Sequence, residues 1–182
     1  TKPMKRVNYI NNVDDIDYFC FCPTILKLYD NCYERVNEPN YVHRIIHKIR
    51  MIIQQLMGGY KVYYMYIDKK VVGHLVVAPG GSRLPQSSRK DIVIGPIWIS
   101  PDQRGKGLGT KGIAAVLNNL NIPYEYAYEF IATDNIASIR SVEKNNFELL
   151  GFAKETGLLR KISLSENGEW LIYRKRNSNY KG

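Results

Sequence analysis

The sequence predicts an α/β fold with a mixed, mostly antiparallel central sheet and helices on both faces. Three observations lead there. Two β-rich runs, residues 60–67 and 71–78, flank Asp68-Lys69-Lys70 as the arms of a hairpin do. An apolar run, Ile92–Ile99, passes through a glycine-rich basic turn into the helical spacing of Ile113, Val116, Leu117 and Leu120. Only one clear strand–helix–strand unit follows, which excludes a series of repeated βαβ units.

Element by element, residues 5–10 read as a short first strand. Asp14, Asp15 and Asp17 have the chemistry of a helix start. Helical patterns are predicted over 23–32 and 41–57. In the second, Val42, Ile45, Ile46, Ile49, Ile52, Ile53 and Leu56 recur at helical spacing, and Gly58-Gly59 ends it. Residues 79–90 hold Gly80, Gly81, Ser82, Pro85, Ser87 and Ser88 and read as a loop. In the strand that follows, Pro96 cannot donate to a ladder, so a bulge or an unpaired side is expected there. A helix over 105–120 comes next, then a strand over 124–133. Asp134-Asn135 caps a helix over 136–145, and late strands cover 147–153 and 170–174. There is no internal repeat and no clear domain boundary, so residues 1–182 are expected to form a single domain.

A hydrophobic content of 45% suffices for a core. No apolar run approaches the roughly 18 residues of a membrane-spanning helix. Met4-Lys5-Arg6 leads into Val7-Asn8-Tyr9 without an apolar signal segment, and three cysteines, Cys20, Cys22 and Cys32, do not form an even disulfide framework. The expected location is the cytoplasm. A net charge of +9 admits a polyanionic partner: a nucleic acid, an anionic membrane surface or a nucleotide cofactor. Arg160, Lys161, Arg174, Lys175, Arg176 and Lys181 read as a solvated basic face or tail. Arg104, Lys106 and Lys111 differ, because they lie in the glycine turn and its helix.

A strand, a glycine turn and a helix aim backbone N–H groups at a phosphate. Gly107-Leu108-Gly109-Thr110-Lys111-Gly112 matches the dinucleotide pattern formally, with Glu129 about twenty residues on. The preceding hairpin and the single βαβ unit contradict that reading. A P-loop would end in Gly-Lys-Ser/Thr, which is absent, and a kinase glycine loop lies between two strands.

Pro101-x-x-Arg104-Gly105-Lys106-Gly107-Leu108-Gly109 resembles the acyl-CoA loop of the GNAT superfamily of N-acetyltransferases, whose pattern is Q/R-x-x-G-x-G/A between a strand and a helix. Asn135-Ile-Ala-Ser138-Ile-Arg-Ser-Val-Glu143-Lys144-Asn-Asn-Phe147 is similar to the family's N-x-x-A/S…E-K-x-G-F segment. Together these motifs cover residues 92–153. The resemblance implies a GNAT-like fold and direct attack of an amine on the acetyl-CoA thioester, with acetyl-CoA as co-substrate and no metal.

It also implies roles. Backbone N–H groups of Arg104, Gly105, Lys106, Gly107, Leu108, Gly109 and the helix start at Thr110 would cradle the pyrophosphate, with Arg104 and Lys106 adding charge. Ile97, Trp98 and Ile99 would offer strand backbone to the pantetheine arm, and an N–H there would polarise the thioester carbonyl. Asn135 and Ser138 match positions that touch the cofactor, and both equally fit helix capping. The family's general-acid tyrosine is replaced by Val142, and its glycine before phenylalanine by Asn146, a residue that tolerates left-handed backbone. Glu129 is the first candidate for a general base, with solvation or ion pairing as its other reading; Asp91 and His74 follow it.

His43 and His47 have the i, i+4 spacing of a zinc pair but lack the intervening glutamate and a third ligand. The fourteen tyrosines fit packing on strands or rings near a cleft for a sugar or aromatic acceptor. The expected acceptor is the primary amine of a small molecule, an amino sugar first. A protein or peptide amine, or an acyl-CoA-binding module without catalysis, are the alternatives. No nucleic acid and no membrane are expected as partners, since no RNA-binding motif is present. The oligomeric state is left open, a homodimer included.

Overall fold

Asp14 and Asp15 turn the chain rather than start a helix. Both have positive φ, 52° and 62°, the backbone a tight two-residue hairpin turn needs and aspartate tolerates. They join β1 (Val7–Val13) to β2 (Ile16–Phe21), paired antiparallel with Val13 opposite Ile16. Asp17 lies within β2, and β2 buries alternate residues Ile16, Tyr18 and Cys20. The computed structural model describes residues 7–30, 33, 39–81, 83–119, 123–157 and 161–180. Lys5, Arg6 and Cys32, which the sequence reading places in elements, lie outside them.

Residues 23–30 are turn rather than helix, with a single bridge between Thr24 and Lys27. α1 (Tyr41–Leu56) follows, capped by Asn40, whose side chain accepts from the His43 N–H at 3.1 Å. β3 (Lys61–Ile67) and β4 (Lys70–Pro79) form the predicted hairpin. Its turn works without glycine because Asp68 and Lys69 take φ of 48° and 62°. β5 (Ile92–Ile99) runs into a 3-10 turn (Pro101–Gln103) and α2 (Leu108–Asn119). β6 (Tyr126–Ala132), α3 (Ile136–Lys144), β7 (Glu148–Thr156), β8 (Lys161–Leu164) and β9 (Trp170–Arg176) complete the chain.

The chain divides into two compact units, residues 1–78 with 96–106 and residues 79–95 with 107–182. In the first the strand order is β1-β2-β3-β4 and then the C-terminal half of β5; in the second it is the N-terminal half of β5, then β6-β9-β7-β8. Among the registered pairs only β5–β6 is parallel. The architecture is a mixed α/β fold built on a mostly antiparallel open sheet with helices. β8, with one buried aliphatic residue, Ile162, among polar neighbours, is the strand the sequence reading omits.

Each unit has its own core. In the first, Phe21, Tyr33, Met51, Tyr60, Val62, Tyr64 and Val76 pack together. Most of the strand tyrosines therefore serve packing. In the second, Leu84, Val93, Tyr128, Ala153, Ile162 and Ile172 form one cluster. The helix predicted from the apolar spacing forms, with Met51 as its buried residue and the residues of the apolar stripe exposed.

Candidate functional site

The glycine turn begins where β5 ends. Ile97, Trp98 and Ile99 are half-buried. The strand can lie close to β4 because Gly73 is opposite: a Cβ there would meet the Trp98 carbonyl oxygen at 2.8 Å. Trp98 stacks on His74 of β4, with ring centroids 5.5 Å apart at 22°. His74 in turn packs on Tyr33 at 4.5 Å. His74, an alternative base in the sequence reading, is thus held in a column of rings.

Arg104 folds back, its Nε donating to the Ile99 carbonyl at 3.2 Å. Lys106 Nζ donates to Gln103 Oε1 at 3.0 Å. Gly105 and Gly107 have φ of 78° and 75°, and neither would bring a Cβ within 4 Å of another atom. Glycine is required at both by backbone conformation rather than by crowding, and the approach to the turn stays open. Leu108 then starts α2, whose first helical bond runs from the Lys111 N–H to the Gly107 carbonyl at 3.0 Å. The amides of Leu108, Gly109 and Thr110 form the first turn, which has no acceptors within the helix.

In the second unit α2 and α3 are fastened side by side. Thr110 Oγ1 donates to Ser141 Oγ at 3.3 Å. Buried Asn145 donates through Nδ2 to the carbonyls of Thr110 at 3.0 Å and Ser141 at 2.8 Å. Gly109 lies close against α3: a Cβ there would sit 3.2 Å from Ser141 Oγ. Asn145 and Ser141 are the residues sequence reasoning missed. A polar side chain at a helix C-terminus gives no sign of its burial until a second helix lies against it.

Asn135 caps α3, accepting from the Ser138 N–H at 3.2 Å. The capping reading of this pair therefore holds. Asn146, in the place of the family's glycine, adopts φ of 58° as expected, and the Phe147 N–H returns to the Val142 carbonyl at 3.1 Å. Val142 is fully buried.

Glu129 lies on β6 opposite Tyr173 of β9. It is 4% exposed. Its Oε2 has no hydrogen-bond partner among the described residues. Burial pushes its carboxyl up to about 8. Among the described residues it has no ion pair, and little of it meets solvent. β5 and β6 pair in parallel at Ile92↔Ala127 and Val93↔Tyr128, and Glu129 is the next residue of β6. Neighbouring Tyr173 donates from its hydroxyl to Glu143 Oε1 at 3.3 Å. Its phenol is held above its ordinary value by burial and by the Glu143 carboxylate.

Asp91 is a structural residue. Its Oδ2 accepts from the Ser88 N–H at 2.7 Å and its Oδ1 from the Tyr126 N–H at 3.0 Å, which ties the 79–90 loop to β6. His47 stacks on Tyr33 at 5.7 Å. Among the described residues no group of three or more His, Cys, Asp or Glu could hold a metal, and Cys20 and Cys22 are not in disulfides. No described helix is long and apolar enough to cross a membrane.

Comparison with the curated proteins finds no match in sequence. Solved structures share the fold. RimL, a ribosomal L7/L12 alpha-N-protein acetyltransferase in its apo form, superposes with a TM-score of 0.64 at 16% identity, over 94% of this chain and 95% of that one. The acetyl transferase that modifies the N-terminal serine of 50S subunit protein L7/L12 from Salmonella typhimurium gives 0.62 at 14% identity, covering 94% and 100%. The microcin C7 self-immunity acetyltransferase MccE, in complex with acetyl-CoA and AMP, gives 0.55 at 15% identity, covering 91% and 94%. The model of the acetyltransferase (GNAT) family matches residues 23–147, more than half of the sequence and the whole of the glycine turn. The chain belongs to the GNAT acetyltransferase family.

Proposed function

We propose that this protein is an acetyl-CoA-dependent N-acetyltransferase acting on the primary amine of a small molecule, with an amino sugar as the first acceptor to test. The observation that carries the reading is the glycine turn. Two left-handed glycines, open above, precede a helix whose first-turn amides have no helical acceptors. That arrangement, inside a GNAT family match, suits the pyrophosphate of coenzyme A. All 182 residues are read as one acetyltransferase domain, because the family match runs through both compact units.

In this reading the amides from Arg104 to Thr110 bind the pyrophosphate, and Arg104 and Lys106 contribute positive charge. Ile97, Trp98 and Ile99 present strand backbone to the pantetheine arm, and an N–H among them polarises the thioester carbonyl. Asn135 and Ser138 add contacts beyond their cap. Coenzyme A supplies the acetyl group as a thioester when bound. The neutral amine attacks the carbonyl carbon, the C–N bond forms and the C–S bond breaks. The amine gives up one proton and the thiolate takes one up.

Glu129 is the proposed acceptor of the amine's proton. Its raised pKa makes it a stronger base than an ordinary carboxylate once ionised, poised close to working pH. Val142 cannot protonate the thiolate, so that proton comes from water or another group.

A second reading is favoured by one observation. Two of the superposing structures are described as acetylating ribosomal L7/L12, so the α-amine of a protein is the other acceptor class. The test is thiol release from acetyl-CoA across amino sugars, polyamines and peptides with free N-termini. Turnover confined to amino sugars supports the first reading, and turnover confined to peptides the second. If no amine is turned over and coenzyme A at saturation leaves the melting temperature unchanged, the acetyl-CoA reading fails.

A further inference from the structure

α1 has one apolar face, and it points away from the protein. Val42, Ile45, Ile46, Ile49, Ile53 and Leu56 share that face, with exposures from 38% at Ile45 and Ile53 to 68% at Leu56. The helix is anchored through its opposite side. Met51 enters the core, His47 stacks on Tyr33, and Gln54 Nε2 donates to the Gly59 carbonyl at 3.4 Å. Gln55 Nε2 donates to the Pro23 carbonyl at 3.2 Å. That last bond ties to α1 the turn carrying Ile25 and Leu26, and Leu26 is 99% exposed. A typical monomer leaves no contiguous apolar patch larger than about 300–600 Å². Larger exposed apolar patches mark sites of protein or membrane contact.

The charges decide between the two. α1 contains no aspartate or glutamate, and its charged residues are Arg44, Lys48 and Arg50. At 100° per residue Lys48 falls beside Ile45 on one margin of the stripe and Arg50 beside Ile46 on the other. Lys27 lies in the turn next to Leu26, and the whole chain carries +9. A second copy packed helix to helix would set these cations against their own equivalents. In a bilayer, acyl chains accept aliphatic side chains without shape complementarity, and cations at the margins reach the headgroups.

We propose that the apolar face of α1 docks this protein on an anionic lipid surface. The sequence reading admits an anionic membrane surface from the net charge but expects no membrane partner; docking in the interface requires no spanning segment.

The test is flotation of the full chain with vesicles of phosphatidylcholine alone or with added phosphatidylserine. The protein is expected to float with the anionic vesicles, to release as salt is raised, and to stay largely unbound with phosphatidylcholine alone. Lys48→Gln is expected to lower partitioning by about fivefold. Ile49→Asp with Ile53→Asp is expected to abolish flotation while leaving the melting temperature and thiol release from acetyl-CoA with a soluble amine unchanged. Failure of the unaltered protein to float overturns the proposal in favour of an acidic protein surface. A dimer seen by light scattering without vesicles, and split by the aspartate pair, overturns it in favour of a second copy.

Discussion

Replacing Glu129 by glutamine tests whether its carboxyl is held neutral in the folded protein. Its ordinary value is 4.5, and burial raises it to about 8. In the unfolded chain the group loses its proton near the lower value, and in the folded protein it keeps it until the higher. Between the two the unfolded state therefore binds fewer protons, and folding stability falls as pH rises. The slope from one such group is about 1.4 kcal/mol per pH unit. From pH 5 to pH 8 the loss due to Glu129 is about 3 kcal/mol, a large part of the roughly 5–15 kcal/mol of a typical domain. Glutamine has nearly the same shape and no titration. Urea unfolding of both proteins at pH 5, 6, 7 and 8 measures the difference. The Glu129→Gln protein should gain on the unaltered one with each step, most of the gain accruing before pH 8. Parallel stabilities across that range would show that Glu129 is ionised in the folded state, and the burial argument would be wrong.

If Glu129 also accepts the amine's proton, kcat/KM should rise through about pH 8 and then level off. In Glu129→Gln that rise should vanish along with most of the rate, about 100-fold or more. Gly107→Ala forces a side chain onto φ of 75°; it should cost about 1 kcal/mol of stability and weaken coenzyme A binding measured by calorimetry. Asn145→Ala removes the side-chain bonds to the Thr110 and Ser141 carbonyls and should cost about 1–3 kcal/mol in denaturant unfolding. Restoring the family's tyrosine by Val142→Tyr should not add a general acid. Val142 is fully buried, so overpacking should destabilise the protein by about 1–3 kcal/mol in the same assay.

Where one local rule governs a segment, the sequence was readable. The β3–β4 hairpin, the α3 cap at Asn135 and the left-handed Asn146 all follow from residue type and spacing. The β1–β2 hairpin was misread because an aspartate pair serves a two-residue turn as well as a helix start. Partners remote in sequence decide between those outcomes, here β2 against β3. Asp91 looked like a candidate base and proved to bind two backbone amides, one of them 35 residues away. The alternation of β6 separates Glu129 from its aromatic neighbours, but alternation does not say which face is wet.

By itself the sequence determined the family and the glycine turn to which the acetyl donor is assigned as a proposal. Glycines at 105 and 107, cations between and before them, and a helix beginning at Leu108 are local chemistry, and a pyrophosphate is bound by local backbone. Tertiary structure alone decided the burial of Glu129 and the outward face of α1. A carboxyl's pKa depends on the water removed from around it. The side of an amphipathic helix that meets the core depends on what the core offers: here Met51 and the His47 ring fill it, and the aliphatic stripe is left outside.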